Sequence, residues 1–453
     1  MHCCTNSCSS NAPSSRPPYR RPCWVIHAVG LLLLLGAVLT GCSSSDEAHT
    51  EGELQEAPAP QAIVADPDST VQTIQLYEGS DERAFPIIRL NSDDQLTLEF
   101  DLLTEDGRPL SVYFFHADQQ WNRDLTPSQY MQRFDHDSVL NYRRSRNSEV
   151  PYVHYEYEFP NNSIDFTISG NYIMRVTEQG RRDDVLFERA FYVTEQQARG
   201  TIDVEANNRP GQRWPNQRPS LLFTPPSDLR GNPFNFTVCF ARNDFSEAPQ
   251  CAQRPLLSEQ PNLQFELRRP HTFRPTSAPI TLDLSRLRTS RNVERTDRSQ
   301  RPTQVTLRED NARFLGEHSG MMEVLNGQSV IRAAMRHLGD PQRSSPYVDV
   351  QFRFVPPDRV PADAPIRLRG SFISRAEGQP MRWNADAERY ETIVRMKQGM
   401  HEYTYATSDE AVRSILEDRL PRRENRFLAL VYYRDVSLST DRLLQIETTR
   451  SRF

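Results

Sequence analysis

Along most of the chain, apolar residues recur at every second position over short runs, the period of a half-buried β-strand. Leu96, Leu98 and Phe100 fall on one face of such a run. Val153, Tyr155, Tyr157 and Phe159 form another, and Tyr172, Met174 and Val176 a third. Val112 with Phe114, and Tyr113 with Phe115, make a run that is apolar on both sides. Phe187 and the run Phe191–Val193 close this first region, about 70–196. Between the runs stand Asn91–Asp94, Glu105–Pro109, Asn161-Asn162 and Ser169–Asn171. Their glycines and short polar side chains supply the bends. Thr126-Pro127-Ser128, ahead of Gln129–Met131, predicts one capped helical turn in a longer excursion.

The alternation continues with Phe234, Phe236 and Val238, then Leu263, Phe265 and Leu267, then Leu282, Leu284 and Leu287. It is most regular where Val348, Val350, Phe352 and Phe354 alternate with Asp349, Gln351 and Arg353. Residues 197–230 carry Arg-Pro and Pro-Pro pairs and read as a polar connector, which leaves 231–355 as a middle β-domain. The arginine-rich stretch 288–303 reads as an exposed loop. Val355-Pro356-Pro357 ends the middle domain, and 356–453 forms the last one. There Ser408–Glu410 are expected to cap a short helix through Leu416, and the apolar run Phe427–Tyr433 reads as a central strand. No long amphipathic helix and no fixed-period repeat interrupts the pattern. The expected fold is all-β, with two or three tandem antiparallel β-sandwich domains of immunoglobulin-like or early-set-like type.

The N-terminus departs from the pattern. Arg16, Arg20 and Arg21 precede an apolar stretch from Trp24 to Leu39, too short to span a bilayer comfortably, which ends in Leu39-Thr40-Gly41-Cys42. This is the form of a bacterial lipobox. Residues 1–41 are therefore expected to be a lipoprotein signal peptide, with Cys42 lipidated and 42–69 a flexible, acidic, Pro/Ala-rich tether. An ordinary signal peptide or an uncleaved anchor is the alternative. Ser43, where an aspartate would retain the chain at the inner membrane, points to the outer membrane, without saying which leaflet is reached. Asp46 and Glu47 also resemble acidic surface-export signals, so exposure on the cell surface stays open.

Composition narrows the chemistry. Of 453 residues, 37% are hydrophobic and 25% charged, enough for sizeable cores. Eighteen Gly against thirty-three Pro argues against a glycine-rich nucleotide site. Lys397 is the only lysine, so a P-loop, a Schiff base or a Ser–Lys dyad has one position available. Net charge is −6, and about −9 without the three arginines before Cys42, with no dense basic block. Nucleic acid is excluded as a partner on that ground. Four cysteines leave with the signal and Cys42 takes lipid, so Cys239 and Cys251 remain, either as a disulfide in an oxidising compartment or as two buried thiols. No four-ligand zinc set exists.

His116 with Asp118, and His136 between Asp135 and Asp137, could ligate a metal or shuttle protons, but hydrogen-bonded loop residues are the expected role. His401-Glu402 begins like a zincin helix, yet Tyr405 stands where the second histidine belongs. No catalytic residue, metal, cofactor or small-molecule substrate is assigned. Trp121, Trp214 and Trp383 could form a carbohydrate platform or belong to the cores. The Arg369–Phe372 to Trp383-Asn384 stretch looks like the early-set modules of starch-active enzymes, so a glycan-binding envelope lipoprotein is the alternative function.

Certain motifs, in order, resemble a known family: Phe85–Leu90, Leu96–Leu103, Val112–Asp118 with Trp121, Tyr130–Phe134, Asn141-Tyr142 with Ser145, Tyr152–Pro160, Ser169–Tyr172 and Phe187–Val193. They look like the first domain of the type IX secretion system plug proteins of Bacteroidota-type bacteria. In the C-terminal half, the segment from Gly370 to Asn384, Lys397–Gly399, Glu424-Asn425, Leu430–Arg434 and Asp441–Leu443 agree with that family. The middle departs: where the family carries an FxGGNEFxxFDI-like segment, this chain reads Arg269–Phe273 and then Ile280–Leu284, without the glycines. The resemblance implies a non-enzymatic plug subunit. Such a protein binds the periplasmic mouth of the outer-membrane translocon β-barrel and seals it when idle. The resemblance locates no partner-binding residue.

Overall fold

A strand buried on one face alternates buried and exposed residues, but in Leu96–Leu102 and Leu110–Ala117 every side chain is buried. Leu96–Leu102 is covered on its outer face by the third sandwich, and Leu110–Ala117 by Arg123, Arg175 and Arg182, which lie over Tyr113 and Phe115. The structure, a computed structural model, describes residues 63–64 and 70–451, apart from 147, 209–213, 244–247, 257–260, 269–270, 275–278, 312–324, 333–338, 374–376 and 420–423. The described residues belong to one compact unit, Gln55–Phe453. The expected signal peptide and Cys42 lie outside the described residues. Within the expected tether, Ile63–Val64 pair antiparallel with Glu188 and Phe187.

The first sandwich sets one sheet, ordered Ile63–Val64, Val185–Thr194, Gly170–Glu178, Leu110–Ala117 and His136–Val139, against a second, ordered Val71–Glu78, Leu96–Leu102, Val153–Phe159 and Tyr142–Arg144. Leu98, Phe100, Val112, Phe114, Tyr155, Phe159, Tyr172 and Phe191 fill the space between them. Thr126 opens the helical turn Pro127–Tyr130, with the Gln129 side chain accepting from the Thr126 N–H at 2.9 Å. Tyr130 from that turn enters the core.

The second sandwich is where the expected domain boundaries need correction. Residues 197–230 are not a connector: Arg199–Asn207 and Asn216–Thr224 are paired strands that continue to Leu263–Glu266. Their facing sheet runs Gln250–Ala252, Phe236–Arg242, Asn425–Asp435 and Thr440–Ser451. One sandwich core therefore takes Phe223, Phe236 and Phe265 from the middle of the sequence and Phe427, Val431 and Leu444 from its end. The division at 355/356 is not how the sheets part. The prolines here do not break the strands. Pro219 sits opposite Val204 within the ladder, tolerated because a strand's prolines cost nothing where no ladder N–H is needed. As the sequence pattern indicates, Asn425–Asp435 is a central strand, flanked by Phe236–Arg242 and Thr440–Ser451.

The third sandwich is inserted between these halves. Ile280–Asp283, Met400–Thr407, Ile366–Gly370 and Gln379–Pro380 form one sheet. Val293–Asp297, Gln304–Leu307, Tyr347–Val355, Arg389–Lys397 and Arg382–Asn384 form the other. Val293–Asp297 falls inside the stretch expected as a loop; only Val293 in it is buried, so an edge strand of this kind leaves little hydrophobic signal. Helix Glu410–Arg419 follows Asp409, whose carboxylate accepts from the N–H groups of Ala411 and Val412, and it places Val412 and Leu416 in the core. The fold is all-β, in three sandwiches.

Cys239 and Cys251 face each other across the Phe236–Arg242 and Gln250–Ala252 pair, with Cα atoms 3.9 Å apart, and are joined by a disulfide. The bond closes a loop of sequence separation 12. Removing it with Cys239→Ser and Cys251→Ser together should cost about 3 kcal/mol of unfolding free energy, the entropy of a loop that size in the unfolded chain. Chemical denaturation of the double variant checks this, and an unchanged midpoint would show that the bond does not constrain the chain.

Candidate functional site

The polar side of Leu96–Leu102 presents Thr97, Glu99 and Asp101, and His154 stands beside Asp101 on the neighbouring strand. A solvated face would suit these residues. Instead the third sandwich covers them, with Lys397 at the end of one strand, Tyr347 at the start of another and Gln342 on the helical turn Pro341–Ser344. Lys397 Nζ donates to Asp101 Oδ2 at 2.6 Å, and neither side chain touches solvent. Tyr347 donates its hydroxyl to the same oxygen at 2.7 Å, and His154 Nδ1 lies 2.9 Å from the other. The Lys397 ammonium also rests 4.6 Å over the Tyr152 ring. Tyr152 in turn donates to the Ser345 carbonyl at 2.8 Å.

A second carboxylate extends the joint. Glu99 accepts from Tyr77 and from Gln342 Nε2, each at 2.8 Å. Gln75 donates to the Ser329 carbonyl at 2.8 Å, and Glu82 accepts from the Ile331 N–H at 2.7 Å. Burial alone would push the Asp101 carboxyl up, but Lys397 and His154 outweigh it and hold Asp101 below the usual range. Burial would lower His154, and its bonds to Asp101 and Glu99 raise it instead. Burial pushes Glu82 up to about 7, with Glu99 adding to the shift. Beside it, a cleft of about 880 Å³ opens between Ser80–Arg83 and the third sandwich's Asp283, Arg286, Val330 and Met400.

The opposite sheet of the first sandwich meets the second sandwich. Tyr432 donates to Asn171 Oδ1 at 2.7 Å, and Arg442 grips Glu195 with two bonds of 2.8 Å. Ser169 accepts from the Leu443 N–H and donates to Glu195. Trp121, Tyr192, Cys239 and Leu443 pack between these contacts. His116 belongs to this joint: its Nδ1 lies 2.8 Å from Asp124, which also accepts from Thr440. Gly170 is required here, because a Cβ on it would come within 2.3 Å of His116 Nε2.

The remaining residues singled out from sequence are structural in their surroundings. Asp118 accepts from the N–H groups of Gln120 and Asn122 in its own loop. His136 bonds Asp135 and stacks on Tyr113, while Asp137 accepts from Tyr157. His401 is buried between the Ser329 hydroxyl and the Lys397 carbonyl, and burial pushes it down to about 4. Glu402 accepts from the N–H groups of Leu325 and Gly327. Among the described residues, no group of three His, Cys, Asp or Glu is placed to hold a metal ion. Trp121 packs edge-on to Tyr192 and Trp383 edge-on to Tyr390, and neither is a free platform.

Sequence reasoning missed Asp101, His154, Glu99 and Gln342. One signal was present: a chain with a single lysine has one place for a buried ammonium, and Asp101 extends the alternation that otherwise reads as solvated.

The fold and its joints define a class: a β-sandwich assembly whose concentrated polar chemistry fastens one sandwich to another. Residues 71–195, the first sandwich, match the family described as the type 9 secretion system plug protein 1st domain. A crystal structure at 2.30 Å of a hypothetical protein from Parabacteroides merdae ATCC 43184 is similar in fold, with a TM-score of 0.74 at 21% identity. The match covers 86% of this chain and 99% of that one. No curated protein matches the sequence.

Lys397→Met should cost about 3–5 kcal/mol, because it strands a buried carboxylate. Lys397→Met with Asp101→Asn should cost less than the sum of the two single changes. Urea unfolding of the four proteins measures the coupling, and strict additivity would mean that the pair does not act as a unit. Glu82 gives a pH prediction. Its folded form holds the proton longer than the unfolded chain, so its contribution is full below about pH 4.5 and is lost as pH rises towards 7. Glu82→Gln should remove up to about 3 kcal/mol of that decline. Melting curves of both proteins between pH 4 and 8 test it, and parallel profiles would contradict the assignment.

Proposed function

We propose that the protein is a plug subunit of the type IX secretion machinery, held by lipid on Cys42 at the periplasmic face of the outer membrane. There it closes the mouth of the translocon β-barrel when no substrate is in transit. The observation that carries this reading is the plug-family match over 71–195. The joints support it physically. A cap over a wide channel has to resist deformation, and here the first sandwich is clasped on one sheet by the Lys397 cluster and on the other by the Tyr432 and Arg442 contacts. Rigid β-sandwiches joined by satisfied buried polar groups meet that demand without a hinge. The role is non-enzymatic and needs no cofactor, and its partner is the barrel. The edge-on packing of Trp121 and Trp383 favours a core role for these two over a glycan platform.

The test is a mild-detergent pull-down of the tagged native lipoprotein from its own envelope, with mass spectrometry of what comes with it. A very large outer-membrane β-barrel in near-stoichiometric amount is expected, and deletion of the gene should let periplasmic contents leak. Recovery without any barrel, and with the protein on the outer leaflet, would refute the plug role.

A further inference from the structure

Val436 and Leu438 stand on the turn between Asn425–Asp435 and Thr440–Ser451, where hairpins ordinarily carry polar residues. Asp435 shapes that turn. Its Oδ1 accepts from the Ser437 N–H at 3.0 Å, the Ser437 hydroxyl at 2.6 Å and the Leu438 N–H at 3.3 Å. Ser439 completes it at φ +56°. The two aliphatic side chains are thereby held outward, Val436 73% and Leu438 38% exposed. Phe234, 60% exposed, rides on the neighbouring turn Pro233–Asn235, which Asn232 closes by accepting the Phe234 N–H at 3.0 Å. Phe236 pairs with Tyr433, so Phe234, two residues further out, comes level with Asp435. Three apolar side chains from two polar-capped turns thus project from one end of the second sandwich; Arg230 and Arg434, exposed and close to them in sequence, reach the Pro225 carbonyl at 3.0 Å and Asp441 at 3.5 Å.

What they meet follows from where the chain is held. Ile63 pairs opposite Glu188, whose carboxylate accepts from Arg123 at 2.7 Å. Arg123 belongs to the loop Asp118–Asp124. That loop touches the residues just after the apolar turn: the Gln119 N–H donates to Asp441 at 3.2 Å, and Asp124 accepts from Thr440. The point where the tether joins the body and the apolar turn are therefore linked through a single loop. With Cys42 acylated, 21 residues of chain separate the lipid from Ile63, a covalent reach of at most about 70 Å. A body tethered at this point keeps that side near the bilayer.

We propose that Phe234, Val436 and Leu438 insert into the lipid interface, with Arg230 and Arg434 towards anionic headgroups. Burial of three such side chains at the acyl boundary is favourable and orients the body on its anchor. The inference rests on the lipoprotein reading given above. To test it, the acylated chain is placed in phosphatidylethanolamine–phosphatidylglycerol vesicles with an environment-sensitive fluorophore on Leu438→Cys or, for comparison, on the exposed Arg295→Cys. Brominated lipids should quench the first label roughly fivefold more than the second. Adding Phe234→Ser and Val436→Ser should bring quenching at 438 down to the level at 295, without changing the melting temperature. Equal quenching at the two positions in acylated protein would overturn the inference. So would shielding at 438 that arises only when the translocon barrel is added, which would make the occupant a protein. A mass spectrum lacking acyl groups on Cys42 would remove the lipoprotein reading and this inference together. A pull-down without barrel bears on the secretion role alone.

Discussion

Lys397 and Asp101 meet where water does not reach, so each charge has only the protein to answer it. Moving such a pair out of water costs several kcal/mol per ion, which their attraction offsets only with good geometry and further hydrogen bonds. Here Tyr347 and His154 supply those bonds to the carboxylate, and Tyr152 offers its ring to the ammonium. Every one of these groups except Asp101, His154 and Tyr152 comes from the third sandwich. The pair is stable only if the two sandwiches stay in contact, and that dependence fixes their relative position more tightly than an apolar patch of similar size would. Apolar contacts can slide, whereas a buried ion pair displaced by an ångström is left unsatisfied.

The same economy appears on the other sheet. Glu195, at the end of the first sandwich's last strand, is held by Arg442 and Ser169, while Tyr432 reaches Asn171. Because the second sandwich takes strands from before and after the third, the chain leaves it and returns to it on either side of the third sandwich. Through this interleaving, three sandwiches that a tandem arrangement would leave free to swing become one body. The Cys239–Cys251 bond lies beside the second joint, where Gln119 of the first sandwich approaches Cys239.

The all-β fold was legible because alternation survives wherever one face of a strand is buried and the other is not. Leu263–Glu266 and Tyr347–Val355 are found where the pattern puts them, as are the turn at Pro127 and the helix after Asp409. The interleaving was not legible. Nothing local in Phe427–Tyr433 says that it pairs with Phe236–Arg242 rather than with a nearer strand, since register is set by contacts far apart in sequence. The joint was hidden for a related reason. Glu99 and Asp101 keep the polar half of a normal alternation, and a strand whose polar face is covered by another domain has the same pattern as one facing water. Only the solitary lysine hinted otherwise. The catalytic-looking pairs at His116 and His401 misdirect in the opposite sense, because a buried histidine serves a structural contact as readily as a reaction: His116 bonds Asp124, and His401 the Ser329 hydroxyl.

A body locked in this way has a consequence for how a plug could be released. If the joints do not yield, the seal cannot open by rearrangement within the described sandwiches, since each joint would have to expose buried charges before any domain moved. On the proposed plug role, release would then fall to competition at the outer surface: whatever displaced the cap would have to offer the barrel a better contact than the cap does. A lipid on Cys42 would keep a displaced cap at high local concentration, so that re-closure would not need tight binding. Weak contact with the barrel, a rigid body and an anchor would be parts of one solution. In that role a stiff body would make the seal, and the anchor would allow the seal to be weak enough to break.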